Sequence, residues 1–501
     1  MGTIRHQGIQ STIITYLGVL IGAFNMLLFT KFLPPEVLGL TRLLNSIVAI
    51  FLTFSSLGSI TMMNKFYPYY RDILSPKQRD LFGIVIILCV IGFTAMCIGA
   101  FIFKSNIIAS YQAQSPLFTV YFNAIFPYAF FFLIYGIIES YSFNQFKTVV
   151  PIFIREVLVR LLTTIIIVAF MLKFLHEAGF IITYTLIYGI AAAVLISYLI
   201  KLNLFQFSFK ISSLTKKLRK KIIGLTSIIY GGSLFSALAQ NIDTLVISKV
   251  NGLATTAVFD LSTYISNVIM IPQKSVIAIS VPVLSKAWKD KDFGRIQRIY
   301  ERSSLILLTY ALLIFFVIWL NFDSAFTILG LPDKYREGKW VVFILGMMRI
   351  MDLGTGVNSQ IIGTSNHWKF EFTTNLILVC LSIPLNYIMI VHYSMIGSAI
   401  AQIFSLFVFN LIRFTYLYRK YDMQPFSKKT FYTVLLAVGG YIGAAFLLNF
   451  DNPYINVIAK SIFFVGIFIG GNIIFNISED IQQTYQKGLQ TVKKIVYRAK
   501  Q

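Results

Sequence analysis

Charged residues are scarce in this chain, and acidic residues are scarcer than basic ones. Only 13% of the 501 residues are Asp, Glu, Lys or Arg, and 20 acids stand against 43 bases. A soluble domain of this size needs far more charge on its surface. Because 57% of the residues are hydrophobic, the composition excludes a soluble protein and indicates one that is embedded in a membrane.

Cysteine and histidine are rare as well, which limits the chemistry available to the chain. Cys89, Cys97 and Cys380 all fall within apolar stretches, without the spacing of a metal or redox site. The histidines are scattered, at His6, His176, His367 and His392. This pattern offers no His/Asp or His/Glu constellation for catalysis, so we expect a protein that is not an enzyme and that needs no metal or cofactor.

Apolar stretches of about 20 residues recur throughout the chain, each long enough to cross a bilayer as an α-helix. A β-barrel would show segments of about 10 residues with alternating polarity, and those are absent. The first stretch is too long for a signal peptide, so we expect it to be retained. An all-α polytopic membrane protein with about fourteen spans is therefore predicted. The predicted spans are 8–30, 38–63, 81–103, 118–140, 150–172, 180–200, 222–247, 256–280, 303–321, 340–363, 372–391, 395–415, 430–449 and 455–476.

The basic residues orient these spans, since loops on the cytoplasmic side hold most Lys and Arg. About 30 of the 43 fall in the termini and in alternate loops such as 210–221 and 285–302. Both termini are thus predicted to face the cytoplasm. The excess of positive charge is explained by orientation and by contact with anionic lipid, without nucleic acid as a partner.

A weak internal repeat divides the chain. LLFTKFLPPEVLGLTRLLNSI (27–47) resembles LVISKVNGLATTAVFDLSTYI (245–265), with each residue paired to the one 218 positions later. This makes spans 1–2 equivalent to spans 7–8 and predicts two pseudo-symmetric six-helix lobes around a central cavity, plus two extra helices. The predicted segments are 1–209 for the first lobe, 210–424 for the second, 425–477 for spans 13–14, and 478–501 for an amphipathic cytoplasmic tail.

The repeat also singles out two pairs of polar residues near the predicted outer ends of their spans. Asn25 corresponds to Asp243, and Arg42 corresponds to Asp260. We expect Arg42 and Asp260 to approach each other across the cleft and form an outer gate when the cleft is closed to the outside. The alternative is that each side chain extends separately to the membrane surface.

Three charges lie within predicted span 5, in PIFIREVLVRLL (151–162). Glu156 and Arg160 are four residues apart on a helix and can pair along one face, whereas Arg155 has no partner three or four residues away. A charged side chain costs about 2.5–3.5 kcal/mol at the centre of a membrane helix. We therefore expect these residues to line an aqueous cavity that binds substrate. Purely structural pairing between helices is the alternative.

Three further charged residues complete the predicted cavity. Arg349 and Asp352 are three apart in predicted span 10, and Lys274 lies near the cytoplasmic end of span 8, where it can also extend to the surface. Bases and acids within the spans are nearly balanced. That balance fits a large amphiphile with a phosphate at one end and a glycan among the amide side chains.

FTKFLPPEVLGLTRLLNSIVAIFLTFSSLGSITMMNKFYPYYRD (29–72) resembles the first two spans of the polysaccharide flippases in the multidrug/oligosaccharidyl-lipid/polysaccharide exporter superfamily. The segment 241–288 is similar to their spans 7–8, although Asp260 occupies a position that is usually small. The resemblance implies a bacterial inner-membrane flippase that moves lipid-linked oligosaccharide, usually on undecaprenyl pyrophosphate, to the outer leaflet by alternating access. Such a protein would serve lipopolysaccharide, O-antigen or other surface polysaccharide synthesis.

Other functions stay open at the level of sequence. A multidrug or cation antiporter of the same fold would favour a more acidic cavity, and a membrane-embedded glycan polymerase or ligase would favour longer outer loops. For the flippase, the expected partners are the lipid-linked glycan, membrane lipids, and the glycan polymerase and glycosyltransferases of the same pathway.

Overall fold

The computed structural model describes residues 2–477 and Gln482. Within that part of the chain every regular element is a helix, and there is no β-strand. The α-helices are α1 (Gly2–Phe32), α2 (Pro35–Ser56), α3 (Ser59–Ile73), α4 (Leu81–Ile102), α5 (Lys104–Gln112), α6 (Pro116–Val120), α7 (Ile125–Asn144), α8 (Val149–Phe153), α9 (Val159–Met171), α10 (Glu177–Lys201), α11 (Ser213–Val250), α12 (Leu253–Asn267), α13 (Ile271–Lys289), α14 (Phe293–Leu329), α15 (Lys339–Gly354), α16 (Asn358–Gly363), α17 (Trp368–Tyr421), α18 (Lys428–Leu447) and α19 (Pro453–Ile474).

Among the described residues, 11 helices are long and apolar enough to cross a membrane. The difference from the fourteen predicted spans has local causes. The predicted span 150–172 is interrupted by a π-helical turn, Ile154–Leu158, and the predicted span 340–363 divides into α15 and α16. The multi-pass, all-helical class is confirmed, and the count of fourteen stays a prediction.

The third difference lies in α17, which contains two predicted spans. Ser394 has the non-helical backbone angles φ 53° and ψ −142°, so α17 consists of two helical arms and the chain reverses between them. Gly397 follows the reversal, and a Cβ at this position would lie 1.9 Å from the carbonyl oxygen of Met389. The close approach of the two arms therefore requires a glycine.

The chain forms two compact units, divided between Asp260 and Leu261. The core of the first unit is rich in tyrosine and phenylalanine, with Phe82 stacked on Tyr141 at 4.0 Å between ring centroids. The second unit has a core on α14 and α19, which includes the stacked rings of Phe464 and Phe468. Burial of aromatic side chains supplies much of the packing free energy in both units.

The helix α11 belongs to the first compact unit. It packs along α2 and α3, and the hydroxyl of Tyr230 donates to the carbonyl of Phe54 at 3.0 Å. The compact units are thus a different division from the repeat, which begins the second half at residue 210. The boundaries 1–209 and 210–424 stay predictions. The segment 425–477 forms α18 and α19, which pack on each other, and the predicted tail, 478–501, lies outside the described residues apart from Gln482.

Candidate functional site

A π turn places charged side chains inside the first unit. The helix widens over Ile154–Leu158, just after Pro151, and the hydroxyl of Tyr135 on α7 donates to the carbonyl of Pro151 at 2.8 Å. On the other side, α1 approaches through Gly18, where a Cβ would lie 2.8 Å from the carbonyl oxygen of Glu156. Turns of this kind add one residue to the helix and occur often at functional sites.

Four ionised side chains alternate in sign around this turn, and we call them the four-charge chain: Glu139, Arg155, Glu156 and Arg160. Arg155 Nη1 lies 2.9 Å from Glu139 Oε1, and Arg155 Nε lies 3.3 Å from Glu156 Oε1. Arg160 Nη2 lies 2.7 Å from Glu156 Oε2. Glu139 on α7 is therefore the partner that the local spacing of Arg155 did not reveal. The only sequence signal for it is an acid near the end of the preceding span.

The acidic and basic side chains of the four-charge chain differ in their exposure to solvent. The side chains of Glu139 and Glu156 are 13% and 15% exposed, whereas those of Arg155 and Arg160 are 43% and 31% exposed. Two arginines and two glutamates give a formal charge of zero. The accessible side nevertheless presents guanidinium N–H donors, with the carboxylates behind them, which is an arrangement suited to a phosphate or another anion.

Asn25 joins α1 to the same region. Its amide donates to the carbonyl of Arg160 at 2.7 Å and accepts from the hydroxyl of Thr164 at 2.5 Å. The side chain is buried, and its hydrogen bonds fix α1 against α9. Asp243, its counterpart in the predicted repeat, lies half-buried on α11.

Arg42 and Asp260 are brought together by the fold. Arg42 Nε lies 2.8 Å from Asp260 Oδ2, and the guanidinium also lies 5.9 Å from the ring of Phe29. The approach of α2 to α12 that allows this pair is close, because a Cβ on Gly39 would lie 1.9 Å from the carbonyl oxygen of Leu253. The two side chains therefore form an ion pair, while an outer gate stays a proposal.

The aromatic run on α7 packs mainly against other side chains. Tyr128 donates to the amide oxygen of Asn45 on α2, and the amide of Asn45 donates to Tyr184 at 3.0 Å. The rings of Phe132 and Tyr188 meet edge to face at 4.6 Å. These contacts pack α7 against α2 and α10 in the first unit.

The charged residues predicted on α15 have separate amide partners. Arg349 donates to Asn267 at 2.8 Å, and Asp352 accepts from Asn410 at 3.0 Å. Within the described ranges no ion pair of 4.0 Å or less joins Arg349 to Asp352. Lys274 lies exposed on α13, and both the predicted cavity position and the surface position stay open for it.

Arg413 on α17 is a buried charge that the sequence pattern did not single out. Its side chain is 1% exposed, 3.6 Å from Glu371 and 3.9 Å from the ring of Phe409, and it donates to Thr374 at 3.1 Å. Glu371 and Thr374 reach Arg413 because α17 folds back at Ser394, whereas Phe409 lies one turn away on the same arm. In the part of the chain that the structure describes, there is no cluster of three or more His, Cys, Asp or Glu able to hold a metal ion.

Comparison with known proteins shows a fold similar to that of several transporters. The MatE family model matches residues 229–388. The lipid II flippase MurJ, in an inward closed conformation, has a TM-score of 0.73 at 16% identity, over 93% of this chain and 98% of that chain. An inward-facing multidrug resistance MATE family transporter of the MOP superfamily has a TM-score of 0.60 at 14% identity, over 81% of this chain and 94% of that chain.

A MOP superfamily transporter from Pyrococcus furiosus, described with a binding pocket of reversed polarity, has a TM-score of 0.50 at 12% identity, over 84% of this chain and 95% of that chain. A search of curated proteins gave no match. These similar proteins are transporters and flippases, not enzymes. The chain has the fold of MOP-superfamily transporters.

Proposed function

We propose that this protein is a flippase that moves a lipid-linked oligosaccharide, carried on undecaprenyl pyrophosphate, from the inner to the outer leaflet of the bacterial inner membrane. The observation that carries the proposal is the four-charge chain, in which the two arginine side chains are the more exposed groups. A pyrophosphate is a natural ligand for two adjacent arginines, because each can donate two parallel hydrogen bonds.

Charge balance supports this assignment over simple anion transport. The carboxylates behind Arg155 and Arg160 offset their charge, so the site can release a phosphate as well as bind it. Similarity to MurJ over nearly the whole chain supports a substrate with a long lipid tail, because that protein is a lipid II flippase. In this proposal the Arg42–Asp260 pair is part of the gate that closes the outer end.

A multidrug antiporter is the second candidate, and the match to the MatE family model over residues 229–388 favours it. Such a protein would bind organic cations through carboxylates. In the four-charge chain the carboxylates are the less exposed groups, which is the reverse of what a cation site needs. We therefore rank this function below the flippase.

A transport assay in proteoliposomes distinguishes the two proposed functions. Purified protein is reconstituted with an undecaprenyl-pyrophosphate-linked oligosaccharide, and the glycan that reaches the opposite leaflet is measured with an impermeant glycosidase. A flippase makes the protected glycan accessible faster than in protein-free vesicles. If the vesicles instead accumulate ethidium and leave the glycan where it was, the protein is the antiporter and the proposal is wrong.

A further inference from the structure

The segment 104–120 connects α4 to α7 and consists of two short helices, α5 and α6. It lies against the end of α11, in the first compact unit, where α11 turns into α12. The distribution of Lys and Arg among the loops predicts that this end of the first unit faces the outside of the cell. A connection between two membrane helices needs only a few residues, so two additional helices at this place call for an explanation.

Two side chains of the segment donate hydrogen bonds to the backbone of α11. The hydroxyl of Tyr111 donates to the carbonyl of Leu245 at 3.1 Å, and the hydroxyl of Ser115 donates to the carbonyl of Ser248 at 2.6 Å. The Ser248 carbonyl lies in the last turn of α11, where no helical N–H is available to it. Burial raises the pKa of Tyr111 to about 12, so the hydroxyl stays protonated and able to donate even at alkaline pH.

The turn between α11 and α12 is held from two sides. Gly252 has φ +90°, and a Cβ there would lie 2.7 Å from the carbonyl oxygen of Gln114 in the segment. On the other side, Gly39 of α2 leaves no room for a Cβ beside the carbonyl oxygen of Leu253. The α11–α12 turn thus contacts both α2 and the segment 104–120, and α6 of the segment itself packs on α2. If the segment stays with α2, separation of the turn from α2 also breaks its contacts with the segment.

We propose that the segment 104–120 is a latch that holds the outer end closed and releases once in each transport cycle. This inference rests on the alternating access of the proposed function, because the α1–α2 and α11–α12 hairpins must part for the outer end to open. The hydrogen bonds of Tyr111 and Ser115 are the contacts that break. Buried small side chains and two hydrogen bonds to carbonyls make a contact that is specific and still reversible.

Thiol labelling tests the latch without any substrate. Ser248 is fully buried, so Ser248→Cys becomes accessible to an impermeant maleimide only when the end opens, and its backbone carbonyl remains as the acceptor. The background carries Cys97→Ala and Cys380→Ala but keeps the buried Cys89, which reports loss of the fold. The protein is held in lipid nanodiscs, so both faces are accessible and the result does not depend on orientation.

Tyr111→Phe with Ser115→Ala should raise the labelling rate of Ser248→Cys about 25-fold, since the loss of one hydrogen bond shifts such an equilibrium about fivefold. The matched control is Thr119→Ala, because that exposed hydroxyl bonds only within its own helix, to Pro116. Labelling no faster than in the control overturns the latch and leaves the flippase proposal intact.

If the double variant also exposes Cys89, its fold is disturbed, and the single variant Tyr111→Phe is used to test the latch instead. This change removes only one oxygen atom and should raise the labelling rate of Ser248→Cys about fivefold. A single variant that labels at the control rate, with Cys89 protected, counts against the latch. Faster labelling in proteins that do not transport the glycan would support the latch and reject the proposed substrate.

Discussion

Arg155 is the residue on which the proposed substrate site depends most. Its guanidinium is the most exposed of the four-charge chain, and it bridges α7 to the π turn through Glu139 and Glu156. We propose two roles for Arg155: it holds α7 against the π turn, and it donates hydrogen bonds to the anionic group of the substrate. These can be separated, because a lysine keeps the positive charge while it loses the paired donors of a guanidinium.

We predict that Arg155→Ala lowers the initial rate of glycan flipping by about tenfold or more, because a hydrogen bond to a charged group contributes about 1.5–3 kcal/mol. Arg155→Lys should recover part of the rate. Flipping is measured in proteoliposomes at equal amounts of inserted protein. The control is Arg336→Ala, which removes an ion pair with Asp333 on an exposed turn; a normal rate in the Arg155 variant would remove its proposed role.

The pair of Arg42 and Asp260 allows a charge-reversal test. Either Arg42→Asp or Asp260→Arg alone places like charges together and should reduce flipping strongly, whereas the two changes together should restore much of it. The exposed pair of Lys334 and Glu337 is the control, since reversals there should change little. A double variant that is no better than the singles would show that the ion pair is not part of the gate.

At the scale of helices, the site is positioned by close contacts between helices at glycine residues. α1 meets the π turn at Gly18, and α2 meets α12 at Gly39, in both cases at distances that exclude a Cβ. Small residues at such contacts let the backbones of membrane helices approach and gain dispersion energy. Close packing of the helix backbones therefore helps to position the charged side chains near them.

Gly39→Ala should lower the free energy of unfolding by about 1–3 kcal/mol, because the added methyl group has no space beside the Leu253 carbonyl. Gly99→Ala is the matched control, since no atom lies within 4 Å of a Cβ at that helical position. The control should be neutral or stabilised by up to about 1 kcal/mol. Thermal unfolding in detergent measures both, and equal melting temperatures would contradict the close contact.

At the scale of the whole molecule, the distribution of Lys and Arg predicts which loops face the cytoplasm. In a cysteine-free background, Lys334→Cys should react with an impermeant maleimide in intact cells, whereas Lys217→Cys should react only after the membrane is permeabilised. Loops rich in basic residues are retained on the cytoplasmic side. The opposite labelling pattern would reverse the predicted orientation, and labelling of both in intact cells would refute the predicted topology.

Sequence alone determined the membrane-embedded, all-helical class and the i,i+4 pairing of Glu156 with Arg160, because hydropathy and helical spacing are local properties. It also led to Arg42 and Asp260 as neighbours, through the repeat. Only the tertiary structure decided that Arg155 pairs with Glu139, that Arg413 is buried against Glu371, and that the segment 104–120 contacts α11. Each of these contacts joins residues distant in the chain, and their meeting depends on a π turn, a reversal at Ser394 or the packing of helices, none of which has a periodic signal in the sequence.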